Sequence, residues 1–291
     1  MNERRVWFWR ACCATLSLLC ACAAVMADFT DEFQSALKLF GESKHAEASV
    51  QFAALAVRAP TAGSKSVSLR YAVLSAISAK QLAKAEELLA QIPRESTKKL
   101  CRMNLLLAQR QPQELVKCFK DENLTEWSDV HVYDALMARG QAFRSLRQFA
   151  EALKDFAKAE EFATTPNKQT HVLNLAGSVL IESGEDGRAL TVYRRMKGIS
   201  SLKGYGIIND AIISAARILA KQGKYKEALR EMDGITPAIS GYWHARPFIV
   251  RAEIHAAQGR KAEAIENYNK ALQSAPDDLR GSIQAALEKL R

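Results

Sequence analysis

One spacing governs how this chain can fold. A small or apolar residue recurs at Ala48, Ala85, Leu115, Ala152, Ala189, Ala228 and Ala264, at intervals of 37, 30, 37, 37, 39 and 36 residues. Four residues after each stands a large apolar side chain: Phe52, Leu89, Phe119, Phe156, Tyr193, Met232 and Tyr268. Twelve residues before each stands a second contact residue: Ala36, Val73, Met103, Gly140, Gly177, Ala216 and Ala252. Self-similarity at such a period marks stacked supersecondary units, and it outweighs the soft expectation of two average domains in 291 residues.

The spacing has a packing reason. Two antiparallel helices joined by a tight turn approach closely only where small side chains meet, and a large apolar residue one turn on fills the space toward the next pair. Gly184, Gly223 and Gly259 fall where such turns need a left-handed residue, and Pro60 and Pro276 follow the second helices. With roughly half its residues apolar, a quarter charged and seven prolines, the chain has material for a large core. The expectation is an all-α fold. An irregular helical bundle is the alternative to a repeat array.

The last unit carries the fullest pattern: Phe248, Ala252, His255, Gly259, Arg260, Glu263, Ala264, Ile265, Tyr268, Ala271, Leu272 and Pro276. It resembles the tetratricopeptide repeat family, and the resemblance extends over about residues 29–276. It implies an α-solenoid of about seven antiparallel helix pairs in a right-handed superhelix, with units near 29–62, 66–99, 96–126, 133–166, 170–203, 209–242 and 245–278. The match weakens around 96–126, where Leu115 replaces the small residue, the spacing contracts to 30 and Pro112 lies in the turn. Residues 277–291 read as an amphipathic capping helix with Ile283, Ala286, Leu287 and Leu290 on one face.

The first 27 residues read as a secretory signal: Arg4, Arg5 and Arg10, an apolar run from Ala11 to Ala24, and a small-residue cleavage site at Val25-Met26-Ala27. The run is too short for a spanning helix. Periplasmic or secreted release beginning near Asp28 is the expectation, and lipid anchoring at Cys22, within Leu19-Cys20-Ala21-Cys22, is the alternative. Cleavage before Asp28 leaves Cys101 and Cys118 in the mature chain, which is no disulfide framework; two buried thiols are expected, and one bridge stays open.

The formal charge of +9 falls to near +7 without the leader. The charges alternate along helix faces, as at Lys154-Asp155, Lys158 and Glu160-Glu161, and no basic run interleaves with aromatics, so no nucleic-acid partner is expected. His45, His131, His171, His244 and His255 are dispersed, no His-Glu-x-x-His or phosphate loop occurs, and Ser35-Ala-Leu-Lys38 lacks the companion motifs of Ser-x-x-Lys enzymes. Neither catalytic residues nor a metal or other cofactor is expected, and His255 reads as a packing residue.

What remains is a surface. In tetratricopeptide arrays the first helices line a concave side that holds peptides or partner segments. Carried over by frame, the lining here includes Arg70, Leu74, Asn104, Met137, Gln141, Arg144, Asn174, Ser178, Ile213, Arg217, Arg246 and Ile249. Arg70, Asn104, Gln141, Arg144, Asn174, Arg217 and Arg246 are the candidate partner-binding residues. Amides pair with a peptide backbone and Arg forks around a carboxylate, so a protein or peptide of acidic or C-terminal carboxylate character is expected. Tyr205, Tyr242 and Trp243 lie in longer connections, as partner anchors or as packing beneath neighbouring units. The resemblance thus implies an exported, non-catalytic scaffold or adaptor. A lipoprotein subunit of an envelope assembly or secretion machine is one alternative, and a peptidoglycan- or polysaccharide-associated module is another.

Overall fold

A computed structural model describes residues 28–127, 129–199, 206–235 and 242–290; the candidate leader (1–27) and Tyr205 lie outside the described residues. Among the described residues there are fifteen α-helices and no strand. They are α1 (28–41), α2 (His45–Val57), α3 (Ala62–Ser78), α4 (Leu82–Ala90), α5 (Glu95–Ala108), α6 (Pro112–Phe119), α7 (Asp129–Ser145) and α8 (Phe149–Glu161). There follow α9 (Pro166–Glu182), α10 (Asp186–Lys197), α11 (Gly206–Lys221), α12 (Tyr225–Met232), α13 (Tyr242–Ala257), α14 (Lys261–Ser274) and α15 (Asp277–Leu290). The described residues divide into two compact units, one up to Ala142 and one from Phe143 onward, with the division inside α7.

Seven turns share one backbone device. Ser43, Lys80, Arg110, Arg147, Gly184, Gly223 and Gly259 have φ between 57° and 84°, and each lies five residues before a member of the repeat frame. The next residue in each case donates its N–H to the carbonyl five residues back: Lys44 to Leu39, Gln81 to Ala76, Gln111 to Leu106, Gln148 to Phe143, Glu185 to Leu180, Lys224 to Leu219 and Arg260 to His255, all at 2.8–2.9 Å. This is the Schellman closure of a helix end, and it reverses the chain within three residues. The sequence points to the left-handed residue only where it is glycine; at four turns a side chain occupies it.

Longer joints are capped by side chains instead. Thr61 accepts from the Ser64 N–H at 3.0 Å while Ser64 Oγ accepts from the Thr61 N–H, a capping box that starts α3. Thr165 caps α9, with Pro166 in its first turn.

The frame residues are the core. Ala48, Ala85, Leu115, Ala152, Ala189, Ala228 and Ala264 are all fully buried, as are their partners Ala36, Val73, Met103, Ala216 and Ala252. In the first unit, Phe33, Phe52 and Tyr71 form an aromatic cluster with centroids 5.2–5.5 Å apart, around which Ala48, Leu69, Val73 and Leu88 close. Leu89 is only partly buried, and its neighbour Leu88 fills the place the frame assigns to it. In the second unit Tyr193, Met196, Ile212 and Met232 gather one core, and Ala252, Tyr268 and Ala271 another, onto which α15 lays Ile283 and Leu287. Each fully buried side chain of this size contributes about 1.5–3 kcal/mol against exposure.

Three expectations need correction. Pro112 opens α6 rather than lying in the turn before it, because a proline's missing N–H is harmless in a first helical turn. Tyr242 and Trp243 belong to the first turn of α13 and not to a loop. Cys118 is exposed: α6 is eight residues long and turns Leu115 and Phe119 inward, which leaves Cys118 outside with its thiol donating to Glu114 Oε1 at 3.4 Å. Cys101 is buried, and both thiols are free.

Candidate binding faces

The candidate residues fall into both units. Arg70, Asn104 and Gln141 belong to the first, on α3, α5 and α7; Arg144, Asn174, Arg217 and Arg246 belong to the second, on the end of α7 and on α9, α11 and α13. Met137 and Ile213, read as lining, are core residues, exposed by 3% and 1%. Ser178 spends its hydroxyl on the Asn174 carbonyl at 2.9 Å, and Gln141 donates to the Met137 carbonyl at 3.3 Å.

All four arginines are already matched by carboxylates of the same unit. Arg70 donates to Asp134 at 2.6 Å, reaching from α3 to α7. Arg144 donates through Nε to Glu182 at 3.0 Å and also through a terminal nitrogen. Arg217 grips both oxygens of Glu253 at 3.0–3.2 Å, and Arg246 pairs with Asp210. The acids come from other first helices, so each pair ties one repeat to another. A charge-matched guanidinium attracts an incoming carboxylate far less than a free one, since the ligand must displace a partner already in place. The four arginines therefore lose the weight given to them as ligands for an acidic partner.

Sequence reasoning missed these acids although a trace of them exists. Asp210 and Arg246 occupy the same frame position 36 residues apart, as do Arg217 and Glu253, while Arg144 and Glu182 are 38 apart. An opposite charge one repeat away at the same position is the signal. Burial raises the Asp210 carboxyl above its usual value, against the opposing pull of Arg246.

Asn104 and Asn174 differ from the arginines. Both are half-buried on first helices, and no side-chain hydrogen bond holds either amide among the described residues. His131, buried on α7, shares a 2.9 Å hydrogen bond with Thr97 and helps fix α5 against α7. Among the described residues no group of three or more His, Cys, Asp or Glu side chains is placed to hold a metal ion, and no helix is long and apolar enough to cross a membrane.

Residues 209–291 match the tetratricopeptide repeat-like domain family. The described fold is shared with solved tetratricopeptide proteins. A tetratricopeptide repeat protein from Parabacteroides merdae superposes with a TM-score of 0.52 at 15% identity, over 90% of this chain and 98% of that one. The apo form of RapI gives 0.65 at 10% identity, over 84% and 75% of the two chains. Pseudomonas aeruginosa pilF gives 0.51 at 13%, over 76% and 97%. No curated protein sequence matches the chain. At these identities the likeness is one of fold: this is a tetratricopeptide-like chain of helix pairs.

Proposed function

We propose that the protein is a non-catalytic interaction scaffold that holds an extended peptide segment of a partner protein against its first-helix faces. The observation that carries this reading is one half-buried, unengaged amide in each unit, Asn104 in the first and Asn174 in the second, each on a first helix of a unit whose candidate arginines are already paired. An amide offers one acceptor and two donors, the complement of a peptide unit, and carries no charge preference. The partner segment is accordingly recognised through its backbone, and its acidity is secondary. Helix pairs preorganise these amides, so binding costs little ordering on the scaffold side.

The test is selection of peptides from a random displayed library on the purified protein, followed by titration of the selected peptides against Asn104→Ala and Asn174→Ala. Loss of the hydrogen bonds to one amide lowers affinity about tenfold, equivalent to about 1.4 kcal/mol. Selection of no peptide, or affinities indifferent to both substitutions, sinks the reading.

The scaffold acts outside the cytoplasm, a reading supported by the basic start, apolar run and Val25-Met26-Ala27 site of the leader. Intact mass of the protein recovered from its native host tests this. A chain starting at Asp28 supports release, and an acylated chain starting at Cys22 supports anchoring; retention of residues 1–27 refutes both.

A further inference from the structure

Helix α2 has two apolar faces. Ala48, Phe52, Leu55 and Ala56 are buried in the first unit's core. On the opposite side Ala46, Val50, Ala54 and Val57 are exposed at helical spacing, with Val50 70% and Val57 84% accessible. A run of exposed apolar side chains on a helix whose other face is already buried marks a surface that is ordinarily covered by a partner. Beside the stripe lies an open groove of about 670 Å³, whose apolar part is made by Val50 and Ala53 with Leu82 and Ala83 of α4.

We propose that this face is a two-fold contact with a second copy of the chain, α2 packing antiparallel on α2. The stripe is complementary to itself. Val50 and Val57 are equidistant from the midpoint between Ala53 and Ala54, so a two-fold axis there sets Val50 of each copy against Val57 of the other. The two alanines at the axis allow helix axes to approach to about 8 Å. Val57 of the second copy then faces the groove beside Val50.

Charge agrees with the same register. Exposed Glu47 and Arg58 stand on one edge of the stripe near its opposite ends, and in an antiparallel pair like edges meet. Glu47 of one copy therefore faces Arg58 of the other, two positions from direct opposition, an offset of about 3 Å that an arginine spans. Arg58 already holds Glu32 of α1 through one N–H on each terminal nitrogen, which leaves it donors for a second carboxylate. The contact is isologous and closes on itself. An anionic lipid surface fits less well, because exposed Glu42 and Glu47 and half-exposed Glu32 border the stripe.

Sedimentation of the protein purified from the full 291-residue sequence tests the proposal. Wild type gives a concentration-dependent dimer mass. Val57→Asp gives a monomer with the helical content of wild type, since Val57 is 84% exposed within its own chain. Glu47→Arg and Arg58→Glu each weaken the dimer at least tenfold, and mixing the two variants restores a heterodimer, because each then meets its opposite. In a Cys118→Ser background, Ala54→Cys cross-links through a disulfide near the axis. A monomeric wild type at every concentration, a dimer that survives Val57→Asp, or a mixture that fails to restore association overturns the proposal. So does a monomer whose stripe binds phosphatidylglycerol vesicles.

Discussion

The ring of Tyr193 lies directly against the backbone of Gly177: a Cβ built on Gly177 would stand 2.7 Å from Tyr193 Cζ and 2.9 Å from Cε1. α9 and α10 cross so closely here that no side chain fits between them, and Tyr193 is 2% exposed. Gly177→Ala gains helix propensity worth about 1 kcal/mol but overpacks a rigid buried ring at a cost of about 1–3 kcal/mol. A net loss of stability follows in urea unfolding. Tyr193→Leu in the same chain removes the collision, so the two substitutions together are less damaging than the sum of each alone. Additive effects would show that the crossing tolerates a methyl group.

The left-handed turn residues give a prediction of opposite sign. A side chain in the left-handed region costs about 1–2 kcal/mol, and glycine avoids that cost while losing more freedom on folding. Lys80→Gly, Arg110→Gly and Arg147→Gly are each expected to raise stability by about 0.5–1 kcal/mol. Gly223→Ala lowers it by about 1 kcal/mol. Differential scanning calorimetry reads both directions, and a lower melting temperature for the glycine variants would mean that the side chains at these turns hold contacts worth more than the strain.

The helix pairing is legible in the sequence because a close crossing demands a small residue at one place per pair, and Ala189 or Gly177 can stand there where a larger residue cannot. The arginine partners are less so. Lys and Glu crowd every exposed helix face, so the match of Arg217 to Glu253 at one repeat's distance is lost among many such coincidences. The exposure of Cys118 is not legible in the sequence, because helix length decides which residues of a short helix point inward and the early end of α6 leaves no periodic mark.

The two cysteines separate cleanly by reactivity. Burial pushes the Cys101 thiol up to about 12, which leaves almost no thiolate at neutral pH and no path to reagent. The Cys118 thiol is raised too, by the partial screening of its sulfur from water and by its bond to the Glu114 carboxylate, but it is exposed. In native protein beginning at Asp28, DTNB therefore titrates one thiol, and a second appears only on denaturation. A raised thiol is less ionised at a given pH, so labelling of Cys118 is slower than for a free cysteine and keeps rising into alkaline solution. Glu114→Gln speeds it. Two thiols reacting alike in the native state would contradict the placement of Cys101.

His255 gives the second unit an acid-sensitive point. Its Nδ1 is buried without a hydrogen-bond partner, and desolvation lowers its pKa, partly offset by Glu263 and further supported by Arg260 and Arg251. A histidine with a depressed folded pKa takes its proton first in the unfolded chain, so its contribution to stability is intact above the unfolded value near 6.5 and is lost as pH falls through the folded one. Melting temperature should decline more steeply below neutrality in wild type than in His255→Gln. Parallel pH curves for the two proteins would assign the acid sensitivity elsewhere.

The short pair in the first unit depends on Arg139. α6 ends after eight residues, before the 3-10 turn at Leu124–Glu126, and the carbonyl of its last residue, Phe119, accepts a long 3.3 Å bond from the Glu122 N–H in place of a following helical turn. Arg139 of α7 supplies the donors: one terminal nitrogen reaches the Phe119 and Glu122 carbonyls, each at 2.9 Å. A cation there also opposes the negative end of the helix dipole. Charge-assisted bonds of this kind contribute about 1.5–3 kcal/mol, so Arg139→Ala should cost that much and Arg139→Lys, which keeps the charge on a single point, less. The loss is local. Amide hydrogen exchange should quicken through Pro112–Trp127 in Arg139→Ala while α2 and α3 keep their protection; a uniform rise over the first unit would show that the short pair unfolds only with the whole.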